Sequence, residues 1–206
     1  MILELIRALG VPVALLLFAG AVVLHRRIYR FTHRPPDQVI AYLRVVEPGE
    51  VRHLLDPVAE EYLRLNLTKQ QFRKEQRHRL WLALEFLRRM AHNALVMAEW
   101  GSYELKRSHR TLNEEDREGS LELLAAAVHV RLCGFLLRTR IHAWLVRMAL
   151  LPFLPPPSVA KLANVGSTDL LEFYDKMRLT ASRLSQSYGD GYHEKMVEAL
   201  RVGAVG

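Results

Sequence analysis

From Ala8 to Leu24 the chain reads ALGVPVALLLFAGAVVL, an apolar run without a single charge. A helix needs about 17–25 such residues to cross the hydrocarbon core of a bilayer. Leu5 and Ile6 lengthen the run, and Arg7 can reach back to the interface along its own stem. Pro12 falls in the first turns, where a missing amide hydrogen costs least. The run predicts a transmembrane anchor over residues 1–24. A cleavable signal peptide would need a basic amino end and a small-x-small site after a shorter apolar core. Here Glu4 offsets Arg7, and the positive charge follows the run, in HRRIYRFTHR.

Residues 25–36 read as a basic juxtamembrane collar and linker. Arg26, Arg27, Arg30 and Arg34, with Tyr29 and Phe31 between them, suit a headgroup region. Each basic residue near an anionic leaflet adds about 1 kcal/mol of attraction. Basic flanks stay cytoplasmic, so the expected topology is single-pass, N-terminus outside and C-terminal domain cytoplasmic. The net charge of +7 calls for an acidic partner, either lipid or nucleic acid. The collar takes up part of that charge, which favours lipid. The single cysteine, Cys133, excludes an intrachain disulfide and a cysteine-rich zinc site.

Downstream, the patterning is helical and no stretch alternates as a strand would. The expectation is an all-α chain: the anchor, then a helical bundle over residues 37–201 with two long central helices, then a tail, 202–206. Asp37 offers a cap for a helix from Gln38 to Val46, and Asp56-Pro57 starts another. In that second helix Val58, Tyr62 and Leu65 share one side, with Glu60, Glu61 and Arg64 mostly opposite. Thr68 and Gln71 have capping-box spacing and open the longest helix, running to about Arg110. Its first turns, KQQFRKEQRHR, are polar nearly all round and are expected in solvent. Leu80, Leu84, Leu87, Ala91, Ala94, Ala98, Gly101 and Leu105 then step by four and three, an interaction seam for another helix. Leu82, Phe86, Met90, Met97 and Trp100 form a second stripe.

Acidic Glu114, Glu115 and Asp116 begin a very apolar helix to about Leu151. Glu122, His129, Arg140 and Arg147 line one edge of it, and Arg131, Arg138 and His142 the other. An arginine at mid-bilayer costs at least about 2.5 kcal/mol, which argues against a second span. Trp144 and Phe153 sit beside basic residues, so segment 141–157 also suits an in-plane interfacial position, with core the preferred role. Pro155-Pro156-Pro157 breaks the chain, Ser158 caps a short helix, Ser167–Asp169 restarts one, and Gly189 stops it before a last helix, Tyr192 to Arg201.

Carboxylate-bridged two-metal bundles use Glu-x-x-His on two helices plus further glutamates. Glu50 with His53, and Glu75 with His78, have that spacing, although chance supplies roughly one such match in a chain of this composition. Glu85, His92 and Glu99, seven apart, share one helix face and form the other metal or haem candidate. No CxxCH or phosphate-cradling glycine loop is present, so no cofactor is assigned. Basic patches at Arg73, Lys74, Arg77 and Arg79, and at Lys106, Arg107 and Arg110, come without a nucleic-acid-binding signature. The expected function is a membrane-anchored accessory or scaffold protein presenting its bundle to a protein partner or to a second copy. The alternative is a tethered metal- or haem-binding bundle enzyme, and the third class a tethered nucleic-acid binder.

Overall fold

A computed structural model describes residues 33–111, 114–162 and 168–200. These belong to one unit, Thr32–Gly206. The expected anchor, the collar up to Thr32 and the tail lie outside the described residues. Among the described residues there are seven α-helices and no strand: α1 Pro36–Tyr42, α2 Pro48–Leu54, α3 Pro57–Asn66, α4 Lys69–Thr111, α5 Glu114–Leu150, α6 Thr168–Ser185 and α7 Asp190–Leu200. Short 3₁₀ turns at Ala160–Leu162 and Gln186–Tyr188 precede the last two helices.

The long helices α4 and α5 make the most extensive pairing, and α6 lies along α5. Helices α1 to α3 pack on α4. The core is aliphatic and methionine-rich: Leu80, Met90, Met97 and Trp100 from α4, Leu123 and Ile141 from α5, Tyr174 and Met177 from α6. Methionine suits such irregular helix–helix contacts because its unbranched chain adapts to the space. Of the seam, Leu80, Leu84, Leu87, Ala94, Ala98 and Gly101 are buried, whereas Ala91 and Leu105 are half-buried. A Cβ at Gly101 would stand 3.3 Å from both the Ser120 carbonyl oxygen and Leu124 Cγ of α5. Gly101→Leu is expected to cost about 1–3 kcal/mol through overpacking. Gly134 has no atom within 4 Å of such a Cβ. Gly134→Ala should instead add up to about 1 kcal/mol by helix propensity. Denaturant midpoints of the two variants, moving in opposite directions, check both.

Local signals and long-range contacts divide the helix ends between them. Asp56 Oδ1 accepts the Val58 amide at 2.9 Å, and Gln71 Oε1 accepts the Thr68 amide at 3.0 Å. Asp37, in contrast, lies inside the first turn of α1, which starts at Pro36 and ends at Tyr42 rather than Val46. The chain is extended at Leu43 because buried Asn93 of α4 engages both backbone groups of Arg44.

One expectation about solvent is reversed, and one amphipathic helix shows its apolar side to solvent. The polar opening of α4 is not solvated all round: Gln76 and Arg79 are buried. Arg73 donates to the carbonyls of Met148, Leu151, Pro152 and Leu154, filling the open carboxyl end of α5. Helix α3 turns its apolar side outward, with Val58, Tyr62 and Leu65 at 74%, 67% and 76% exposure. It turns because Glu60, on the other side, is buried, where it accepts the Ala160 amide at 2.8 Å and faces Arg79 at 3.6 Å.

By length and composition α5 is apolar enough to cross a membrane. In the structure one side of it, including Leu123, Ala126, Ala127, Val130, Leu137 and Ile141, is buried in the bundle.

Candidate functional site

Among the described residues a groove of about 1040 Å³ lies between the α2–α3 junction and α6, closed at one side by α5. Helix α6 contributes Leu171, Glu172, Asp175, Lys176, Leu179, Thr180 and Arg183. That spacing of three and four puts them on a single helix face. Leu55, Asp56 and Pro57 form the facing wall, where the proline start of α3 turns the chain sharply, and Arg52 and Glu122 complete the rim. The floor is aliphatic: Leu55 and Leu171 are buried, and Leu179 stands exposed.

The rim charges are paired across helices. Arg52 Nη2 lies 3.2 Å from Asp175 Oδ2, which ties α2 to α6, and Arg178 reaches the other oxygen of the same carboxylate at 3.1 Å. Lys176 Nζ lies 3.2 Å from Glu122 Oε1, and Arg183 binds Oε2. Burial pulls the Glu122 carboxyl upward, but the hydrogen bonds from Arg183 and Lys176 outweigh it and hold the group below its ordinary value. Three basic groups (Arg52, Lys176, Arg183) face four acidic ones (Asp56, Glu122, Glu172, Asp175). A groove so balanced does not attract a polyanion. The groove thus has an apolar floor inside a charged rim.

Comparison with protein-family models, curated proteins and solved structures finds no match. Chemistry therefore has to be read from the side chains themselves.

The metal and haem candidates are engaged separately. Glu85 pairs with Arg88 and Arg89, His92 Nε2 lies 2.9 Å from the Tyr42 carbonyl, and Glu99 binds Arg34 at 2.8 Å. Among the described residues no group of three His, Cys, Asp or Glu side chains is placed to hold a metal ion, so Glu50, His53, Glu75 and His78 do not converge either. Arg34, from the expected collar, also stacks over Tyr42 at 4.2 Å. His129 and His142 each bond the carbonyl four residues back, at 2.8 and 2.7 Å. Cys133 is half-buried, and burial pushes its thiol up.

A second polar centre sits where α4, α7 and the Gln186–Tyr188 turn meet. Buried Glu104 accepts from Trp100 Nε1 at 3.0 Å and from the Tyr188 hydroxyl, which Arg107 also binds. Burial, with the Glu104 charge beside it, pushes the Tyr188 phenol far up. Every member has a partner, and the cluster acts as a clasp for the carboxyl-terminal helices.

The groove was not foreseen from the sequence. Its walls come from residues 52–57, 122 and 171–183, joined by no local pattern. One signal was available: the i, i+4, i+8 series Leu171, Asp175, Leu179 and the parallel series Glu172, Lys176, Thr180 mix apolar and charged residues on one face of α6.

Proposed function

We propose that this chain is a membrane-anchored adaptor whose bundle offers the α2–α3/α6 groove to a protein partner on the cytoplasmic face. The observation that carries the reading is the groove's aliphatic floor inside a charge-balanced rim. Helix α3 leaves that rim at Pro57 and extends the apolar surface through exposed Val58, Tyr62 and Leu65. The partner of matching chemistry is an amphipathic segment with an apolar ridge and flanking charges of both signs. The N-terminal apolar run and its arginine collar support anchoring with the amino end outside.

Leu179 tests the groove because it is exposed, so its replacement leaves the core alone. Full-length protein crosslinked in its native membranes should recover a partner that Leu179→Arg loses at least tenfold, with thermal unfolding unchanged. Equal recovery by both forms would remove the groove from the mechanism. Anchoring has its own check: the protein should stay with the pellet on alkaline carbonate extraction, and release would overturn it.

A further inference from the structure

Among the described residues helix α5 carries a second apolar face without a partner, which touches the groove only at Glu122 and Arg183 and goes beyond the reading above. Leu121, Ala125, Leu132, Leu136, Val146 and Leu150 are exposed at steps of 4, 7, 4, 10 and 4 residues, each a sum of threes and fours, with Leu136 at 57% and Leu150 at 72%. Stepping 100° per residue from Leu132, all six fall within about 40° of one line along the helix. This is a narrow seam about 45 Å long, of the kind that packs against another helix.

The charges beside the seam say which helix. One edge carries Glu115 and Glu118 near the amino end and Arg140 and Arg147 near the carboxyl end. Glu115, Glu118 and Glu122, with Leu121, Ala125 and Arg183 of α6, line an open cleft of about 670 Å³; Arg183 pairs with Glu122, which leaves the carboxylates of Glu115 and Glu118 in excess there. When two identical antiparallel helices are related by a two-fold axis, each edge meets the same edge of its mate, with the ends reversed. The acidic end of one copy then faces the basic end of the other. We infer that α5 is the interface of an antiparallel homodimer, with its axis at Leu132 and with Arg147 of each copy entering the acidic cleft of the other. The small residues Ala125 and Thr139 fall opposite each other and allow close approach. A seam of this length and about 10 Å width buries about 900 Å² over both copies, the size range of weak, reversible protein interfaces. An anionic lipid surface is the poorer fit, because Glu114, Glu115 and Glu118 stand at one end of the seam and repel it.

The test is cysteine crosslinking of the full chain in its membranes, on a Cys133→Ser background. Leu132→Cys should give a covalent dimer. Ala125→Cys coexpressed with Thr139→Cys should crosslink to each other, while neither does so alone, since each would lie about 20 Å from its own mate across the axis. Leu136→Arg should abolish the Leu132→Cys product while leaving the melting temperature in place. Arg147→Glu should weaken association roughly three- to tenfold, and adding Glu118→Arg should restore it. Absence of the Leu132→Cys product, or efficient crosslinking of Ala125→Cys to itself, would overturn the proposal. So would labelling of this seam by a lipid-borne photoprobe. The groove variant Leu179→Arg must still crosslink, so loss of the dimer and loss of the groove partner remain separate outcomes.

Discussion

Arg79→Ala is expected to lower the stability of the bundle by about 3–5 kcal/mol, the usual cost of leaving one partner of a buried ion pair alone. Arg79 and Glu60 side chains are only 6% and 10% exposed. Burial pulls the Arg79 guanidinium below its ordinary value, against the opposing pull of Glu60, Glu75 and Asp56. Its Nη2 also donates to the Leu54 carbonyl at the end of α2, so one side chain joins α2, α3 and α4. Truncation leaves the Glu60 carboxylate facing a cavity and frees the end of α2. The double variant Glu60→Leu/Arg79→Leu should regain most of the loss, because a buried pair replaced by apolar groups is often near neutral. It should not regain all of it, because Ala160 loses the acceptor of its amide. Gln76, one turn before Arg79, is fully buried with neither amide atom paired. Gln76→Leu should move stability the other way, by about 1 kcal/mol. Denaturant unfolding of the four proteins orders them; an unchanged midpoint for Arg79→Ala would show that the pair carries no net weight.

The same residues explain what the sequence concealed. Periodicity announced α4 and α5, and short-range chemistry announced the Thr68–Gln71 box and the Asp56 cap, because those signals act within four residues. Periodicity also named the apolar side of α3, and that side faces out. The decision was taken by Glu60, whose partners lie nineteen and a hundred residues away, at Arg79 and Ala160. A pattern of this kind reports that a helix has two faces, and not which one the bundle needs. Arg73 and Gln76 were masked likewise: each looks solvated in a run such as KQQFRKEQRHR until the carboxyl end of α5 is laid beside it. The groove is further still from legibility, since it exists only where three separated segments meet.

Asn93 holds the other large effect, and Asn93→Leu should cost about 2–4 kcal/mol. The side chain is fully buried and uses both ends of its amide: Oδ1 accepts the Arg44 amide at 2.8 Å, and Nδ2 donates to the Arg44 carbonyl at 2.6 Å and to the Tyr174 hydroxyl at 2.8 Å. It stands in for a neighbouring strand and fixes the extended turn that carries the chain from α1 to α2. Leucine keeps the branched outline but is bulkier and cannot hydrogen-bond, so a polar loss adds to some overpacking: each group stranded out of water costs about 1–3 kcal/mol, less where Arg44 can reach solvent. Tyr174→Phe removes one of the three bonds and should cost only about 1 kcal/mol. The phenol adds a pH signature. Burial pushes Tyr174 up to about 12, although the Asn93 hydrogen bond and the Arg178 charge oppose the rise. A group whose folded pKa is raised stabilises fully below its unfolded value, near 10, and that contribution fades as pH climbs through about 12. Stability of the wild-type protein should therefore fall across that window, and Tyr174→Phe should flatten the fall. Hydrogen exchange separates the two variants: Asn93→Leu should release protection of the Arg44 amide, whereas Tyr174→Phe should leave it in place. Equal exchange at Arg44 in all three proteins would mean that the α1–α2 turn is held by packing alone.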